Sequence, residues 1–240
     1  MPLEPIARRS VTDEVFAQLS AEVLNGDLAA GENLPSERRL AEVLGVSRPS
    51  VRQALQRLAN AGLVDVRHGD ATTVRDFRRT AGLSLLPQLL LVGGGLDIGV
   101  VRSILETRLL VGPFAAGLAA ERGNTSLKPA LDRVLDELAA AADPVARQRV
   151  ALDFWDVIID GADSITIRLM YNNLRSAYEP VIEALAHVMD AEALRHETYR
   201  ELADAITGHD AARAREVADA LLRPSTDSLL AAFNNAEVKK

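Results

Sequence analysis

Between Leu34 and Val74 the chain reads LPSERRLAEVLGVSRPSVRQALQRLANAGLVDVRHGDATTV, and this stretch leaves few choices of local fold. Ser36 is a natural N-cap for Glu37, Arg38 and Arg39, and Leu40, Ala41 and Leu44 recur at helical spacing. Gly45 supplies the left-handed residue that a sharp turn needs. Ser47 then caps a second helix, with Pro49 in the first turn, where a missing N–H costs nothing. Val51, Ala54, Leu55 and Leu58 turn inward, leaving Ser50, Arg52, Gln53 and Gln56 on the other faces. Gly62 ends that helix. Residues 63–67 and 71–75 alternate as two short strands around His68-Gly69-Asp70. Upstream, Val11, Val15, Leu19, Val23 and Leu24 predict a helix over 10–25, capped by Ser10 or Thr12 and closed by Asn25-Gly26.

Two short helices, a tight turn and a polar, arginine-bearing start to the second are what a DNA recognition helix requires. Its first residues reach base edges, and its backbone N–H groups face phosphate. The plainer alternative makes Ser47 only a cap and Arg48 and Arg52 only solvated surface. The net charge of −7 argues against nucleic acid until it is divided along the chain. Residues 1–80 hold eleven basic and eleven acidic side chains, so the acid excess lies wholly in residues 81–240. Every basic residue before Lys128 is arginine, which suits forked contacts to phosphate and guanine. A neutral head needs those arginines gathered on one face.

The remainder of the 240 residues is long enough for a second core. Residues 76–92 read as a connector that becomes helical, followed by Gly93-Gly94-Gly95, which is a hinge rather than a phosphate loop because no lysine–serine partner accompanies it. From Asp97 onward the pattern is helical over 97–122, 125–141, 145–161, 164–190, 192–207 and 210–233, with Pro224 expected to kink the last segment. The expected class is therefore mostly α, with a C-terminal all-α bundle of six to seven helices. The expected divisions are 1–76, a linker at 77–96 with a short helix, and 97–240. Without cysteine there is no disulfide framework, which fits a reducing cytoplasm. The apolar run from Leu83 to Val92 is too short to span a bilayer and the N-terminus lacks a signal-peptide pattern, so no membrane partner is expected. Four histidines and no Ser/His/Asp arrangement leave no obvious enzyme chemistry.

LPSERRLAEVLGVSRPSVRQALQRL and VDVRHGDATTV closely resemble the GntR family of bacterial transcription regulators, over about residues 10–76. The resemblance implies a winged helix-turn-helix bound to double-stranded DNA. Arg38 matches the family's arginine at the start of the second helix. Ser47, Arg48, Ser50 and Arg52 match its recognition-helix contacts, and His68 and Gly69 the wing tip that enters the minor groove. Asp70 departs from the lysine that fatty-acid-responsive members tend to carry, and an acid there repels phosphate.

VVRSILETRLLVGPFAAGLAAERG is similar to the opening helix of the ligand-binding domain in the FadR subfamily. That likeness implies a homodimer on a palindromic operator, released or retained by a small effector. Many subfamily members hold a metal with one aspartate and three histidines. Here those positions fall on Ala151, Trp155, Tyr199 and Leu221, so neither metal nor cofactor is expected. Asp153, Asp156, His196 and His209 lie nearby but on other helical faces. The replacements make the cavity greasier, and RLMYNNLRSAYEP and RHGDATTVRDFRRTAGLSLLPQLL also resemble the metal-free branch that responds to fatty acyl-CoA. The resemblance thus implies a repressor controlled by a fatty acid or acyl-CoA. The alternative is a metal-dependent relative sensing a small organic acid. Candidate effector residues are Trp155, Tyr171, Tyr178 and Tyr199, unless these are core aromatics with satisfied polar tips, and Arg102, Glu106 and Arg175. Arg108 is a further polar residue in an apolar helix. Arg102 and Glu106 also have the spacing of a simple helix pair.

Overall fold

The computed structural model describes residues 10–66, 71–91 and 95–237, and side chains as far as 233. The chain divides into two compact units, residues 1–97 and 98–240. The first begins with α1 (Val11–Asn25), α2 (Glu37–Leu44) and α3 (Arg48–Asn60). Serines define all three starts. The Oγ of Ser10 accepts from the Asp13 N–H, that of Ser36 from Arg39 and that of Ser47 from Ser50. Ser10 rather than Thr12 is the first cap, within a reciprocal box closed by the Asp13 carboxylate. Gly26 and Gly45 end α1 and α2 at φ 84° and 65°, in the left-handed region.

Val15, Leu19 and Val23 of α1, Leu40 and Ala41 of α2, and Val51, Ala54, Leu55 and Leu58 of α3 share one core. Val11, expected on that face, stands in the opening turn and is exposed. Strands β1 (Val64–Asp65) and β2 (Thr73–Val74) pair antiparallel, Val64 opposite Val74 and Asp65 opposite Thr73. The chain before α2 joins them as a third edge. Asn33 bridges Thr73, Leu34 N–H donates to Thr72 O at 2.8 Å, and Val74 N–H donates to Glu32 O at 2.8 Å. This pairing satisfies backbone groups that would otherwise be unpaired in the connection between α1 and α2.

The segment expected as a linker folds onto the first unit. It forms α4 (Phe77–Thr80), a 3-10 turn at Leu83–Leu85 and α5 (Leu86–Leu90). Leu85 is buried in the first core, with Phe77, Ala81 and Leu89 packed around it. Gly62, at φ 78°, lets Thr80 approach: a Cβ there would lie 2.7 Å from Thr80 O, and Thr80 Oγ1 donates to Gly62 O at 2.7 Å. The hinge expected at Gly93 and Gly94 lies outside the described residues.

Asp13 couples this unit's stability to pH. Arg57 donates to its carboxylate at 2.5 Å and Ser10 donates through its N–H and Oγ. The Arg57 hydrogen bond, then those of Ser10, draw the Asp13 pKa from 3.8 to about 2. The folded carboxyl therefore takes up a proton less readily than the unfolded one. Its contribution is complete above the unfolded value and is lost as pH falls through about 2. Asp13→Asn should flatten the fall in urea midpoint between about pH 5 and pH 2. Parallel losses in wild type and variant would exclude the coupling.

The second unit consists of α6 (Ile98–Arg122), α7 (Leu127–Ala140), α8 (Pro144–Gly161), α9 (Ile165–Tyr178), α10 (Ile182–Ala193), α11 (His196–Thr207) and α12 (Ala211–Glu237). The single helix expected over 164–190 is two helices. Pro180 sits in a 3-10 turn, Glu179–Val181, that separates α9 from α10, because a proline ring clashes with the preceding turn and brings no N–H. Pro113 and Pro224 instead lie inside α6 and α12. Pro224 frees the carbonyl of Ala220 four residues earlier, and Arg195 donates Nη1 to that carbonyl at 2.5 Å.

α6 pairs with α12 through the centre of the bundle. By length and composition α6 is apolar enough to cross a membrane, unlike the Leu83–Val92 run, but its buried Val101, Leu105, Ala116, Ala119 and Ala120 are bundle core. Leu131, Val134 and Leu138 of α7, Phe154 and Ile158 of α8, Leu202 and Ile206 of α11, and Val217 and Leu221 of α12 complete that core.

Candidate nucleic-acid interface and buried polar cluster

The exposed face of α3 follows from its buried one. With Val51, Ala54, Leu55 and Leu58 turned inward, Arg48, Arg52, Gln53 and Gln56 are left exposed. Ser47 and Ser50 are joined through their hydroxyls at 2.8 Å, which stiffens the first turn. Arg38, on α2, is also exposed and lies 3.5 Å from Glu42.

Arg52 carries a partner that the sequence did not reveal. Its Nε donates to both Glu37 oxygens at 3.0 and 3.2 Å, and Nη2 donates to Oε2 at 2.8 Å. The fork holds the Glu37 carboxyl below its ordinary range, and the Arg48 charge adds to the effect. A bidentate bond fixes the guanidinium plane, so Glu37 of α2 aims an arginine of α3. Arg67, His68, Gly69 and Asp70 lie outside the described residues, so the expected wing contacts of His68 and Gly69 have no geometry here.

In the helical unit most of the expected effector residues fall into three groups. Tyr171 and Tyr178 have satisfied tips: Tyr171 donates to Leu152 O at 2.6 Å and Tyr178 to Gln148 Oε1 at 3.1 Å. Burial raises both phenol pKa values, so both stay protonated. Arg175 is engaged elsewhere. It pairs with Asp153 at 2.9 Å, with Asp156, and with Glu179 at 2.9 Å, while Arg168 also holds Asp156 and Asp160. These contacts lace α8 to α9 and give Arg175 acidic partners on α8 and at the C-cap of α9. Arg102 is half-buried and Glu106 exposed.

Trp155 and Tyr199 form the third group. Trp155 is 7% exposed and Tyr199 0%, yet among the described residues Trp155 Nε1, Tyr199 OH and Nη1 of Arg108 have no hydrogen-bond partner. Phe154 packs edge-on against both rings, with centroids 4.9 Å from Tyr199 and 6.4 Å from Trp155. Arg108 of α6 reaches Glu192 of α10, whose other oxygen accepts from Ser225 of α12. Gln148 completes the cluster by donating to Met189 O at 3.0 Å. Arg108 stood out as a polar residue in an apolar helix. Glu192 carried a fainter signal, an acid in helical register with the buried Leu185 and Met189.

Ala151, Trp155, Tyr199 and Leu221, the positions corresponding to metal ligands, all lie in the same buried core. Their side chains do not fit a metal. Of the acids and histidines nearby, Asp153 and Asp156 are ion-paired, and His209 Nδ1 lies 2.8 Å from Ala120 O.

A family model described as "Bacterial regulatory proteins, gntR family" matches residues 11–74, and an "FCD domain" model matches residues 103–224. The HTH-type transcriptional regulator Mce2R of Mycobacterium tuberculosis is 56% identical over 231 residues, covering 96% of each chain. A fatty acid metabolism regulator protein of Vibrio vulnificus is 29% identical over 140 residues, 58% of this chain and 47% of that one. Among solved structures, Lar of Listeria monocytogenes has a TM-score of 0.61 at 16% identity, over 92% of this chain and 97% of that one, a likeness of fold. The fold, the capped α2–α3 pair and these matches together show that the chain belongs to the GntR family of bacterial transcription regulators, with a DNA-binding helix-turn-helix followed by an effector-binding FCD domain.

Proposed function

We propose that the protein is a homodimeric repressor that holds a palindromic operator and releases it on binding a fatty acyl effector. The observation that carries the DNA half is the start of α3, where Arg48 and Arg52 are exposed above a fully buried apolar face. Ser47, Ser50 and Arg38 complete the described contact set, and His68 and Gly69 are assigned to the minor groove by resemblance. An acyl effector is favoured by the apolar and aromatic side chains at Ala151, Trp155, Tyr199 and Leu221, and by the partial match to fatty acid metabolism regulators. Exposed apolar pairs on the adjoining helices α6 and α9, Leu110 with Phe114 and Ile165 with Leu169, suit self-association. Control would follow from differential affinity: an effector preferring one head spacing shifts the population away from the operator-bound form.

The test begins by selecting operator fragments from genomic DNA with the purified protein. Lauroyl-CoA and laurate are then titrated against the selected complex, with sedimentation velocity fixing its stoichiometry. A two-to-one complex dissociated by an acyl ligand is expected. Failure to enrich any sequence overturns the DNA assignment, and indifference to both ligands overturns the effector assignment.

A further inference from the structure

One edge of the Arg52 guanidinium is occupied before any DNA arrives. Nε donates to both Glu37 oxygens at 3.0 and 3.2 Å, and Nη2 donates to Oε2 at 2.8 Å. Arg38 and Arg39 are held differently, each standing 3.5 Å from Glu42 through a single nitrogen. Glu37 is the first residue of α2, directly after the Ser36 cap, so the N–H groups of that helix steady its charge. Its side chain is 27% exposed against 68% for Arg52. The acid is the anchored member of the pair and the arginine the projecting one. Arg52 also follows Arg48 by one turn on the same face of α3.

The edge left open selects what Arg52 can meet. A guanidinium offers two forks, Nε with Nη2 and Nη1 with Nη2. Glu37 fills the first. The second presents two parallel N–H groups in the plane that Glu37 fixes. In the major groove guanine alone shows two acceptors side by side, O6 and N7. Adenine sets an amino donor beside its N7, and thymine has the single acceptor O4. A phosphate also carries paired oxygens, but it would bring a second anion to a guanidinium that Glu37 already neutralises, and the two anions repel. Guanine is neutral and meets no such repulsion.

We propose that Glu37 is a specificity-determining residue that makes Arg52 a guanine reader, by closing its other edge and repelling phosphate. This rests on the reading of α3 as the helix that enters the major groove, and it names the base that Arg52 meets there. Glu37 acts through Arg52 and is a positioning residue.

The test uses the full-length protein and an operator duplex enriched from genomic DNA. Each guanine of a half-site is replaced in turn by 7-deazaguanine, which pairs normally but lacks N7. Fluorescence anisotropy follows binding over a range of salt, with a scrambled duplex alongside. One replacement should weaken wild-type binding about fivefold or more, as loss of an arginine–guanine fork requires. Arg52→Ala should be indifferent to that replacement, and Arg48→Ala should still feel it. Glu37→Gln should reduce the penalty to below about twofold, bind the scrambled duplex about threefold tighter, and steepen its salt slope by about one. Its urea midpoint should stay near wild type, because an exposed pair adds little to folding. Should the midpoint fall, Glu37→Asp takes its place. One methylene shorter, it should lose the guanine penalty while keeping the weak scrambled binding.

Failure to enrich any duplex overturns both this assignment and the reading of α3. An enriched operator in which no guanine penalty depends on Arg52 overturns the guanine assignment and leaves α3 as the reading helix. A penalty that survives both Glu37 variants, with the scrambled duplex bound no tighter, makes Glu37 a brace between α2 and α3 and overturns its positioning role.

Discussion

Replacing Arg48 with alanine should weaken specific operator binding by about 1–3 kcal/mol, roughly fivefold to 150-fold. Arg48 is the first residue of α3, held there by the Ser47 cap and followed by Pro49. It therefore projects from the end of the helix where N–H dipoles already favour phosphate. Arg52→Ala should cost a similar amount, but the two losses should respond differently to salt. A base-reading arginine relaxes specificity at one position, whereas a phosphate-binding one lowers the salt slope by about one. Arg52 is partly neutralised and aimed by Glu37, so its loss should show mainly as relaxed specificity. Fluorescence anisotropy on operator and scrambled duplexes at three salt concentrations separates these cases. Unchanged specific affinity in both variants would remove α3 from the role of reading helix.

The largest expected effect on stability lies in the helical unit. Glu192 is 5% exposed and accepts from both Arg108 and Ser225, joining α10 to α6 and α12. Glu192→Gln leaves the Arg108 charge half-buried and unmatched. Breaking such a pair from one side costs about 3–5 kcal/mol, a large part of the roughly 5–15 kcal/mol that holds a domain together. Removing both charges should cost far less, because Arg108→Met with Glu192→Met also removes the desolvation penalty. Ser225 would keep its bond to Leu222 O at 3.0 Å. Urea unfolding of the two proteins decides the matter. A loss below about 1 kcal/mol in the single variant, or a double variant worse than the single, would show that the pair is not buried in effect.

What the sequence disclosed was what local chemistry fixes. Ser36, Gly45 and Ser47 act on backbone groups within a few residues, so the two helices and their turn are readable from spacing. The same holds for Val51, Ala54, Leu55 and Leu58, whose inward face is a matter of helical period. Pro180 was a local signal left unread, and it divides one expected helix into two. Other features depend on partners far along the chain. Glu37 and Arg52 are fifteen residues apart, and Arg108 and Glu192 eighty-four. No periodicity reports which acid a given arginine will meet, so Arg175 looked as available to a ligand as Arg108 did. The Asn33 bridge to Thr73 likewise exists only once the hairpin has returned to the start of α2.

The Glu37–Arg52 fork has a consequence for how such a protein travels through a genome. Random-sequence affinity is set by how many phosphates a head neutralises and how many counterions it thereby sheds. This head balances eleven cations with eleven anions over residues 1–80, and one of the arginines proposed to read DNA arrives with its own counterion. If the proposed reading face binds DNA as such, it should shed few counterions on random DNA and be held only loosely there. Millions of competing sites then sequester few molecules, and discrimination arises as much from weakness at wrong sequences as from strength at the right one.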